Sequence, residues 1–385
     1  MSVPARRATW AEVDLGRLAH NVRLLRARLQ PGAKLMAVVK ADGYGHGAVA
    51  AARAALAAGA EWLGVAILEE GLALRRAGLR APVLVMGWTP AERAAEVVAS
   101  GLDQAVTAAS DAAALAEAGL AAGRPARIHA KVDTGMGRLG WPVRDGAGLA
   151  AAASEIAQVA RLPGADLVGV FTHLAAADDA DLGEARRQVT RFRTLLEALA
   201  TRGVRPALRH CANTAALLRL PEAHFDLCRP GIGLYGYAPS EHVPDPGLLP
   251  VLSWHSRVAF VKELHPGDAV SYNATYVATG LERVATLPVG YADGLRRALS
   301  GRGHVLLGGR PAPIRGRVCM DQTVVSVEGC GPVRAGDVAV LLGEQGACRQ
   351  WADAMAAQLG TISYEVLCAV GTRVPRVYVG EPGAP

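Results

Sequence analysis

The sequence lacks the features of a membrane or secreted protein. No apolar run among its 385 residues approaches the ~18 residues that a membrane-spanning helix needs. Arg6 and Arg7 near the N-terminus are not followed by an apolar segment, so no secretion signal is expected. Its 6 cysteines are far apart, with no CxxC pair and no metal-ligand spacing. We therefore expect a cytoplasmic protein with reduced thiols and no metal site.

The chain also lacks a basic patch. Its formal net charge is +6, from 41 Lys and Arg against 35 Asp and Glu, but the arginines are scattered as pairs among acidic residues. No basic run is interleaved with aromatic residues. A solvated mixed surface is therefore expected, and a nucleic-acid partner is not.

Lysine is rare, and the few lysines stand out. The 41 cationic residues include only Lys34, Lys40, Lys131 and Lys262. A lysine kept in so arginine-rich a sequence can be there for its chemistry, because an amine can lose its proton and form a Schiff base and a guanidinium cannot. Lys34 and Lys262 lie in ordinary surface contexts. Lys40 and Lys131 lie beside glycine-rich segments and are candidate functional residues.

The composition changes near residue 245. The first 250 residues hold 58 alanines and the last 135 hold 17, and the proline-rich segment APSEHVPDPGLLP lies between them. This predicts a helix-rich domain over residues 1–245 and a strand-rich domain over residues 246–385. The second domain has short strands separated by the turns HPGD, LPVGYADG, GGRP and RAGD, which is typical of a mostly antiparallel β domain. One helix, Cys348–Leu359, is expected within it.

The first domain alternates short apolar runs with alanine-rich amphipathic segments. The eight runs are residues 35–40, 62–67, 83–87, 103–107, 127–133, 166–172, 207–212 and 225–229. Eight strands with crossover helices over about 240 residues predict an α/β fold of the parallel (β/α)8 TIM-barrel type. A doubly wound open sheet has the same alternation, and only the count of eight favours the barrel.

Polar side chains follow five of the predicted strands. They are Lys40 after the first strand, Lys131 and Asp133 at the fifth, His173 after the sixth, Asn213 and Thr214 after the seventh, and Arg229 and Gly231 after the eighth. Barrel enzymes carry their active sites at the C-terminal ends of the strands. Each residue alone has a structural explanation, but together they predict an active site at that end.

Two segments are candidates for binding phosphate. Residues 135–140 match the dinucleotide pattern GxGxxG, but Trp141-Pro142 follows where the phosphate-binding helix should run, and proline would break it. The Thr214 hydroxyl and the Gly231–Ile232 amides lie after the last two strands, where barrels hold a phosphate. A lysine amine, a phosphate cradle and an arginine in one barrel mouth are what pyridoxal 5'-phosphate (PLP) requires.

Eight ordered segments resemble those of bacterial alanine racemases. They are AVVKADGYGHG, KVDTGMGRLG, FTHLAAAD and RPGIGLYG in the first domain, and SYNATY, GYADG, RVCMDQ and ISYEVL in the second. The resemblance covers nearly the whole chain. It implies a PLP-binding (β/α)8 barrel with a C-terminal β domain. The implied activity is interconversion of L- and D-alanine, which supplies D-alanine for cell-wall peptidoglycan.

The resemblance also implies roles for individual residues. Lys40 and Tyr272 would be the two catalytic bases, with Lys40 also carrying PLP. Tyr272 would be contributed by the other subunit of a homodimer with shared active sites. The cofactor-binding residues would be Lys40, Tyr44, His173, Asn213, Thr214, Arg229, Gly231, Ile232 and Tyr364. The substrate carboxylate would be bound by Arg138 and the Met320 backbone, and Tyr291 would line the entrance.

Inverting the substrate Cα requires a base on one face and an acid on the other. The resemblance assigns these roles to Lys40 and Tyr272. Lys131 is a candidate for carbamylation, because a second bare cation would compete with Arg138 for the substrate anion whereas a carbamate would pair with Arg138. The alternative is an ordinary lysine paired with an acid such as Asp133.

The sequence departs from the family pattern at three positions. Thr214 replaces the more usual serine, Gly43 stands where alanine is common, and Asn273 stands where glycine is common. Thr214 keeps the hydroxyl. Asn tolerates positive φ better than most residues, so the turn beside Tyr272 is expected to persist.

Two other functions use a similar barrel. PLP-dependent decarboxylases resemble this chain in fold but carry an acidic residue at the pyridine nitrogen, where Arg229 stands here. Catalytically silent PLP-binding proteins resemble the barrel alone, whereas this chain keeps the β domain with Tyr272. An arginine-rich nucleic-acid binder ranks below both, for want of a basic patch.

Overall fold

The computed structural model describes residues 7–380, and the chain folds into two compact units. The barrel unit comprises residues 18–43 and 48–249. The β unit comprises, within the described range, residues 7–17, 44–47 and 250–380. The N-terminal segment and residues 44–47 therefore group with the C-terminal part of the chain. The predicted boundary near residue 245 does not describe this grouping, because the first strand of the chain pairs with strands of the C-terminal sheet.

Eight parallel strands form the wall of the barrel unit. After β1 (Thr9–Asp14), which belongs to the β unit, the chain forms β2 (Lys34–Val38), β3 (Trp62–Val65), β4 (Val83–Val85), β5 (Asp103–Val106), β6 (Ala126–Asp133), the short β7 (Trp141–Pro142), β8 (Ala165–Phe171), β9 (Leu208–His210) and β10 (Leu227–Cys228). The wall runs in the order β10-β2-β3-β4-β5-β6-β8-β9, and β7 pairs only with β6. Backbone bonds from Asp226 to Arg209 (3.0 Å) and from Arg229 to Ala212 (2.9 Å) join the two edges. The predicted barrel is confirmed.

Helices alternate with these strands. They are Leu15–Arg26, Ala48–Ala57, Leu68–Arg76, Ala94–Ala99, Ala109–Ala121, Gly146–Val159, Gly183–Ala200 and Thr214–Arg219, with 3-10 turns at Ala91–Arg93, Pro221–Ala223 and Ile232–Tyr235. Asp145 shows how one begins: its side chain accepts a bond from the Gly148 amide (2.8 Å) and caps the first turn. Small buried alanines, such as Ala51, Ala52, Ala54 and Ala55 of one helix, let the helices pack closely on the strands.

The inside of the barrel is filled by side chains from alternate positions of the strands. One apolar cluster consists of Met36, Trp62, Leu84, Val168, Leu208 and Leu227, all at most 7% exposed. Strands of a parallel barrel are covered on both faces, which explains why they read as continuous apolar runs in the sequence. Polar residues that interrupt this interior therefore require an explanation.

The β unit contains the remaining strands. They are β11 (Leu252–Arg257), β12 (Phe260–Leu264), β13 (Ala269–Val270), β14 (Tyr276–Val277), β15 (Glu282–Leu287), β16 (His304–Leu307), β17 (Arg310–Arg315), β18 (Thr323–Ser326), β19 (Val338–Gln345), β20 (Cys348–Gln350) and β21 (Arg376–Val379). The main path is β12-β15-β18-β17-β16-β19-β11-β1-β21, with β20 beside β19 and a separate β13-β14 pair. All these pairings are antiparallel except β1 with β21. The predicted mostly antiparallel domain is confirmed.

The predicted helix Cys348–Leu359 is wrong at its start. Residues 348–350 form β20, because the turn at Gly346 (φ +62°) folds them back onto β19. The helix proper is Ala352–Leu359, and a second helix, Ser363–Ala369, follows it. Shorter 3-10 turns occur at Tyr272–Ala274 and Arg297–Leu299. Across residues 7–380, none of the helices combines the length and apolar character that crossing a bilayer demands.

Candidate active site

Lys40 opens a strained turn at the C-terminal end of β2. The next residues, Ala41 (φ +52°), Asp42 (+51°) and Gly43 (+63°), are left-handed, which costs roughly 1–2 kcal/mol for each residue other than glycine. Two bonds hold this turn: Glu70 accepts from the Ala41 amide (2.6 Å), and Asp42 accepts from the Ala48 amide (2.8 Å). The backbone that carries Lys40 is thereby held at the C-terminal end of β2, and such strain is concentrated at functional sites.

Lys131 is a buried amine near the end of β6. It is 6% exposed, and its Nζ lies 4.5 Å from the centre of the Phe171 ring. Its pKa is lowered to about 7, first by burial and then by the charges of Arg229, Arg138 and Lys40, against the opposing effect of Asp133. Near neutral pH part of this amine is therefore unprotonated, and the unprotonated amine is a nucleophile.

Asp133 does not serve as the ionic partner of Lys131. Its carboxylate accepts bonds from the amides of Gly135 (3.0 Å) and Gly137 (3.0 Å) and from Arg144 (3.0 Å). These bonds hold its pKa below the ordinary value even though burial opposes them. The alternative of an ordinary Lys131–Asp133 pair is therefore not what the structure shows.

The loop after β6 brings Arg138 toward Lys131. At Gly140 (φ +106°) a Cβ would lie 2.3 Å from the Lys131 carbonyl oxygen, so only glycine allows the loop to fold back there. Arg138 itself is exposed and acts electrostatically on both Lys131 and His173. The sequence after this loop forms β7 rather than a helix, as the proline predicts. The GxGxxG match is thus not a dinucleotide site.

Arg229 is buried beside two histidines. Its Nη1 donates to Nδ1 of His210 (2.8 Å), and its Nη2 donates to the Thr172 carbonyl (2.9 Å) and more weakly to Nδ1 of His173 (3.4 Å). Burial lowers the pKa of Arg229 to about 10, so it stays charged at neutral pH. Burial, and next the Arg229 charge, hold the pKa of His173 well below its usual value. His173 is accordingly a neutral acceptor.

Thr214 and Gly231 meet at the ends of the last two strands. The Thr214 hydroxyl accepts from the Gly231 amide (3.0 Å) and lies 3.4 Å from the Gly233 amide, which leaves its own proton to donate elsewhere. Asn213 accepts from the Ala216 amide (3.0 Å) and so caps the following helix, a structural task beside its predicted one. Ile232 begins the buried 3-10 turn that follows Gly231.

In the β unit, Tyr272 stands on a second strained loop. Its neighbours Ser271 (φ +66°), Asn273 (+63°) and Ala274 (+46°) are left-handed, so Asn273 adopts the conformation expected of it. The Ser271 hydroxyl donates to the Arg317 carbonyl (2.9 Å) and contacts Cys319 Sγ (3.1 Å). The Tyr272 side chain is 71% exposed.

The Cys319–Met320 backbone joins Tyr291 to the same part of the β unit. The amides of Tyr291 and Ala292 donate to the carbonyls of Cys319 and Met320, both at 3.0 Å. At Gly290 a Cβ would lie 2.2 Å from the Cys319 carbonyl oxygen, so this approach requires glycine. Tyr291, Met320 and Tyr272 thus form one exposed group.

Tyr44 and Tyr364 are a further pair within the β unit. Their ring centres are 6.1 Å apart, and Tyr44 is buried with its backbone left-handed (φ +53°). Burial, followed by the effect of Tyr364, raises the pKa of Tyr44, so its hydroxyl remains protonated and can donate a hydrogen bond. Of the residues singled out from the sequence, Lys40, Lys131, Arg138, His173 and Arg229 interact within the barrel unit, where Thr214 also meets Gly231.

Three buried polar residues were not anticipated. His210 binds Arg229, and His129 and Asp103 continue the contact into the barrel. The sequence signal that could have indicated them is a charged or imidazole side chain at an interior position of an otherwise apolar strand. Periodicity alone does not reveal their partners, since these lie on strands far apart in sequence.

Comparisons with known proteins cover most of both units. Residues 13–239 match the family model described as alanine racemase, N-terminal domain, and residues 251–378 match alanine racemase, C-terminal domain. The alanine racemase of Symbiobacterium thermophilum is 47% identical over 382 residues, covering 99% of this chain and all of the relative. That of Desulfovibrio desulfuricans is 46% identical, covering 97% of this chain and 98% of the relative.

Solved structures give the same result. The alanine racemase from a D-cycloserine-producing Streptomyces lavendulae has a TM-score of 0.92 at 41% identity, covering 99% of this chain and 98% of that one. The alanine racemase from Streptomyces coelicolor A3(2) has a TM-score of 0.91 at 42% identity, covering 97% and 98%.

Proposed function

Because the chain belongs to the alanine racemase family of isomerases, we propose that it interconverts L- and D-alanine with PLP by a two-base mechanism. Its D-alanine would supply peptidoglycan synthesis. The observation that carries this proposal is the group of cations around the buried Lys131 amine, to which Arg229, Arg138 and Lys40 contribute. The carboxylate that acts on Lys131, Asp133, is already bonded to two amides and Arg144. Such a site favours anionic ligands, namely a phosphate and a carboxylate.

The donor set suits PLP. A primary amine at Lys40 can bind an aldehyde, and the Thr214 hydroxyl has a proton to donate to a phosphate. The Gly231 amide donates to the Thr214 hydroxyl in the structure and would share its hydrogen with the phosphate, next to the Ile232 amide. Tyr44 and Tyr364 would add two phenol donors to the phosphate. Asn213 would support this cradle by capping the helix that begins at Thr214.

Arg229 would face the pyridine nitrogen of the cofactor. Its contacts with His210, Thr172, Cys211 and His173 are made by Nη1 and Nη2, and Nε–H, which makes none of them, is the proposed donor to the cofactor. With its pKa about 10, the guanidinium donates a hydrogen bond and keeps its proton. When bound, PLP withdraws electrons from the substrate and makes its Cα–H acidic. A donor that does not protonate the ring limits that withdrawal, which favours racemisation over other reactions.

Lys40 and Tyr272 would exchange protons at the substrate Cα from opposite faces. One removes the proton as a base while the other delivers a proton as an acid, and the roles reverse for the other enantiomer. Arg229 Nη2 lies 3.4 Å from His173 Nδ1, and because a guanidinium only donates, His173 would carry its proton on Nε2 and would orient the Tyr272 hydroxyl with it. The strained turns beside Lys40 and Tyr272 would hold the backbone of both residues in place before substrate binds.

Arg138 and the Met320 backbone would bind the substrate carboxylate, with Tyr291 lining the entrance. Carbamylation would convert the partly unprotonated amine of Lys131 into a carbamate anion. That anion would pair with Arg138 and hold it toward the substrate. The lowered pKa of Lys131 supports this, because only the neutral amine reacts with CO₂.

We propose a homodimer in which each active site takes Tyr272 from the partner subunit. Tyr272, Met320 and Tyr291 are 71%, 52% and 43% exposed in the single chain. Groups that handle a proton or a substrate need to be shielded from water to act selectively. A second copy of the chain would cover them, and two-fold symmetry would build two equal sites.

Incubation of the purified protein with L-alanine and PLP, followed by chiral analysis, tests the proposed activity. We expect D-alanine to accumulate until the two enantiomers are equal, and the reaction from D-alanine to reach the same ratio. Protein without added PLP, after dialysis against hydroxylamine, is the control. Release of CO₂ and formation of ethylamine would instead indicate a decarboxylase, and neither product would indicate a silent PLP-binding protein.

A further inference from the structure

A continuous polar chain crosses the apolar interior of the barrel unit and ends at Arg229. Asp103 Oδ2 lies 3.2 Å from His129 Nε2, His129 Nδ1 lies 2.9 Å from His210 Nε2, and His210 Nδ1 lies 2.8 Å from Arg229 Nη1. Asp103 is 2% exposed, and both histidines are fully buried. Buried polar groups are costly unless every one is bonded, so an array of this length points to a task that apolar side chains could not perform.

The partners fix the proton on each histidine. A guanidinium only donates, so His210 Nδ1 must accept and the proton of this neutral ring lies on Nε2. His210 then donates to His129 Nδ1, which places the proton of His129 on Nε2, where it is donated to the Asp103 carboxylate. From Arg229 to Asp103, each hydrogen-bond donor therefore meets an acceptor. The exposed end is held by Arg127, whose Nε donates to the other oxygen of Asp103 (2.9 Å).

The backbone is shaped around His129. The pairing of β6 with β8 shifts register between Ile128 and His129, so that Ile128 faces Leu167 and His129 faces Gly169. Irregularities of this kind re-aim a strand side chain. At Gly169 a Cβ would lie 2.3 Å from His129 Nδ1, so only glycine admits the imidazole there. The register shift and the glycine are two separate backbone features that make room for the His129 side chain.

The rings are also held by packing. His210 stacks on Phe171 with ring centres 4.8 Å apart, and Trp62 meets His129 edge-on at 5.8 Å. These contacts restrict rotation of both imidazoles. A flipped or reprotonated His210 would present N–H to Arg229 and break their bond.

We propose that Asp103 and His129 are positioning residues for the reaction: through His210 they keep an acceptor facing Arg229 and so hold the guanidinium that faces the pyridine nitrogen. This proposal rests on the role of Arg229 proposed above. It assigns Asp103 and His129 no contact with substrate or cofactor. Their effect reaches the site only through the fixed orientation of His210.

The proton positions are measured directly in the whole enzyme. In protein with ¹⁵N-labelled histidine, two-bond ¹H–¹⁵N correlation should show His210 and His129 as neutral rings protonated at Nε2, assigned by loss of each signal in a variant. A proton on Nδ1 of His210 overturns the proposal, whatever Arg229 does in catalysis. This measurement does not depend on activity or on the cofactor.

Variants test the consequence for the site. Asp103→Leu and His129→Leu should each lower kcat about ten- to a hundredfold with little change in KM, because small misplacements of a catalytic group have effects of this size. Both should shift the absorption band of bound PLP. Gly169→Ala should act in the same direction by displacing His129. Asp103→Asn, which retains an acceptor for His129, should recover most of the kcat lost in Asp103→Leu.

His224→Leu is the matched control. His224 is a buried barrel histidine that accepts from the Gln30 amide (3.1 Å) and donates to the Leu217 carbonyl (2.9 Å), outside this chain of contacts. It should lower the melting temperature without shifting the PLP band. If folded Asp103→Leu and His129→Leu retain wild-type kcat and absorption while Arg229→Gln loses both, the positioning role is wrong and the Arg229 role stands. If Arg229→Gln also changes nothing, both are wrong.

Discussion

The candidate site residues of the two units differ in how they are held. In the barrel unit, Lys131 and Arg229 are nearly fully buried and anchored at the ends of strands, and their charges act on one another. In the β unit, Tyr272 and Met320 lie on exposed loops. The barrel therefore presets an electrostatic environment by itself, whereas the exposed group requires something to cover it. This difference is what a site completed by a second copy of the chain would produce.

In both units a proposed base lies beside strained backbone. Lys40 is followed by left-handed Ala41 and Asp42, and Tyr272 is flanked by left-handed Ser271 and Asn273. Both proposed bases thus stand beside non-glycine residues in a conformation that costs free energy. Strain of this kind persists only where surrounding bonds enforce it, which fixes the backbone beside each base before substrate arrives.

The largest effect is expected at Lys40. Lys40→Ala removes both the proposed attachment point of PLP and one base, so racemisation should fall by at least ~10⁴-fold in both directions. The absorption of enzyme-bound PLP should change at the same time. Lys34→Ala, an exposed lysine on β2, is the control and should leave activity and absorption unaltered. Residual activity near that of Lys34→Ala would refute the assignment of Lys40.

Tyr272→Phe should remove one base and leave the part of the site in the barrel unit intact. We expect racemisation to fall about 10²- to 10⁴-fold while PLP remains bound. In D₂O, one enantiomer of alanine should still exchange its Cα hydrogen through Lys40 without inversion. This is measured by mass spectrometry of the recovered, unconverted alanine. If neither enantiomer exchanges, or both exchange equally, the two-base assignment fails.

The sequence predicted the barrel more fully than the site. Eight apolar runs located the eight wall strands, because parallel strands buried on both faces are continuous in hydrophobicity. The helix at Cys348 was misassigned because a hairpin turn at Gly346 overrides local helical pattern. His129 and Asp103 were missed because their importance depends on a contact with His210, 81 residues from His129 along the chain. Such long-range pairing is not encoded in any local period.

Mixed dimers test whether the two units of different chains form one site. In a dimer of one Lys40→Ala chain and one Tyr272→Phe chain, one site would carry both defects and the other neither. Dimers selected through two different tags after co-expression should therefore show about half of wild-type activity. Each variant homodimer is the control and should be nearly inactive. Selected mixed dimers as inactive as the homodimers would mean that Tyr272 serves its own barrel.

Carbamylation of Lys131 should follow the ionisation of its amine. The pKa of about 7 is lowered from 10.5, so the neutral fraction rises as pH increases through 7 and is lost below it. At fixed CO₂ pressure with ¹³CO₂, a carbamate carbon signal should therefore grow between about pH 6 and 8. It should be absent in Lys131→Met and present in Lys34→Met.

Loss of that carbamate should have a moderate effect on the reaction. Lys131→Met should lower kcat/KM for alanine about tenfold, mainly through KM, because Arg138 would be less well held toward the substrate carboxylate. Steady-state kinetics at saturating PLP measure this. Wild-type kinetics in Lys131→Met, or a crystal structure of the enzyme without extra density at Lys131 Nζ, would contradict the proposed modification.

The smallest effect is expected at Thr214, where hydroxyl and methyl group have separate tasks. The hydroxyl accepts from the Gly231 amide (3.0 Å), and the methyl carbon would lie 2.6 Å from a Cβ at Gly233, so it packs tightly against that glycine. Thr214→Val keeps the shape and loses the hydroxyl, which should raise the dissociation constant of PLP about tenfold, because the phosphate would lose a hydrogen bond and a bond to a charged group is worth about 1.5–3 kcal/mol. Thr214→Ser keeps the hydroxyl and should change PLP affinity less than about threefold. Because Thr214→Ser loses one buried methyl group, it should instead lower the unfolding free energy of the protein by about 1 kcal/mol. PLP titration of the apoenzyme and denaturant unfolding measure the two quantities separately. If Thr214→Ser weakens PLP binding as much as Thr214→Val does, packing rather than the hydroxyl holds the phosphate cradle together.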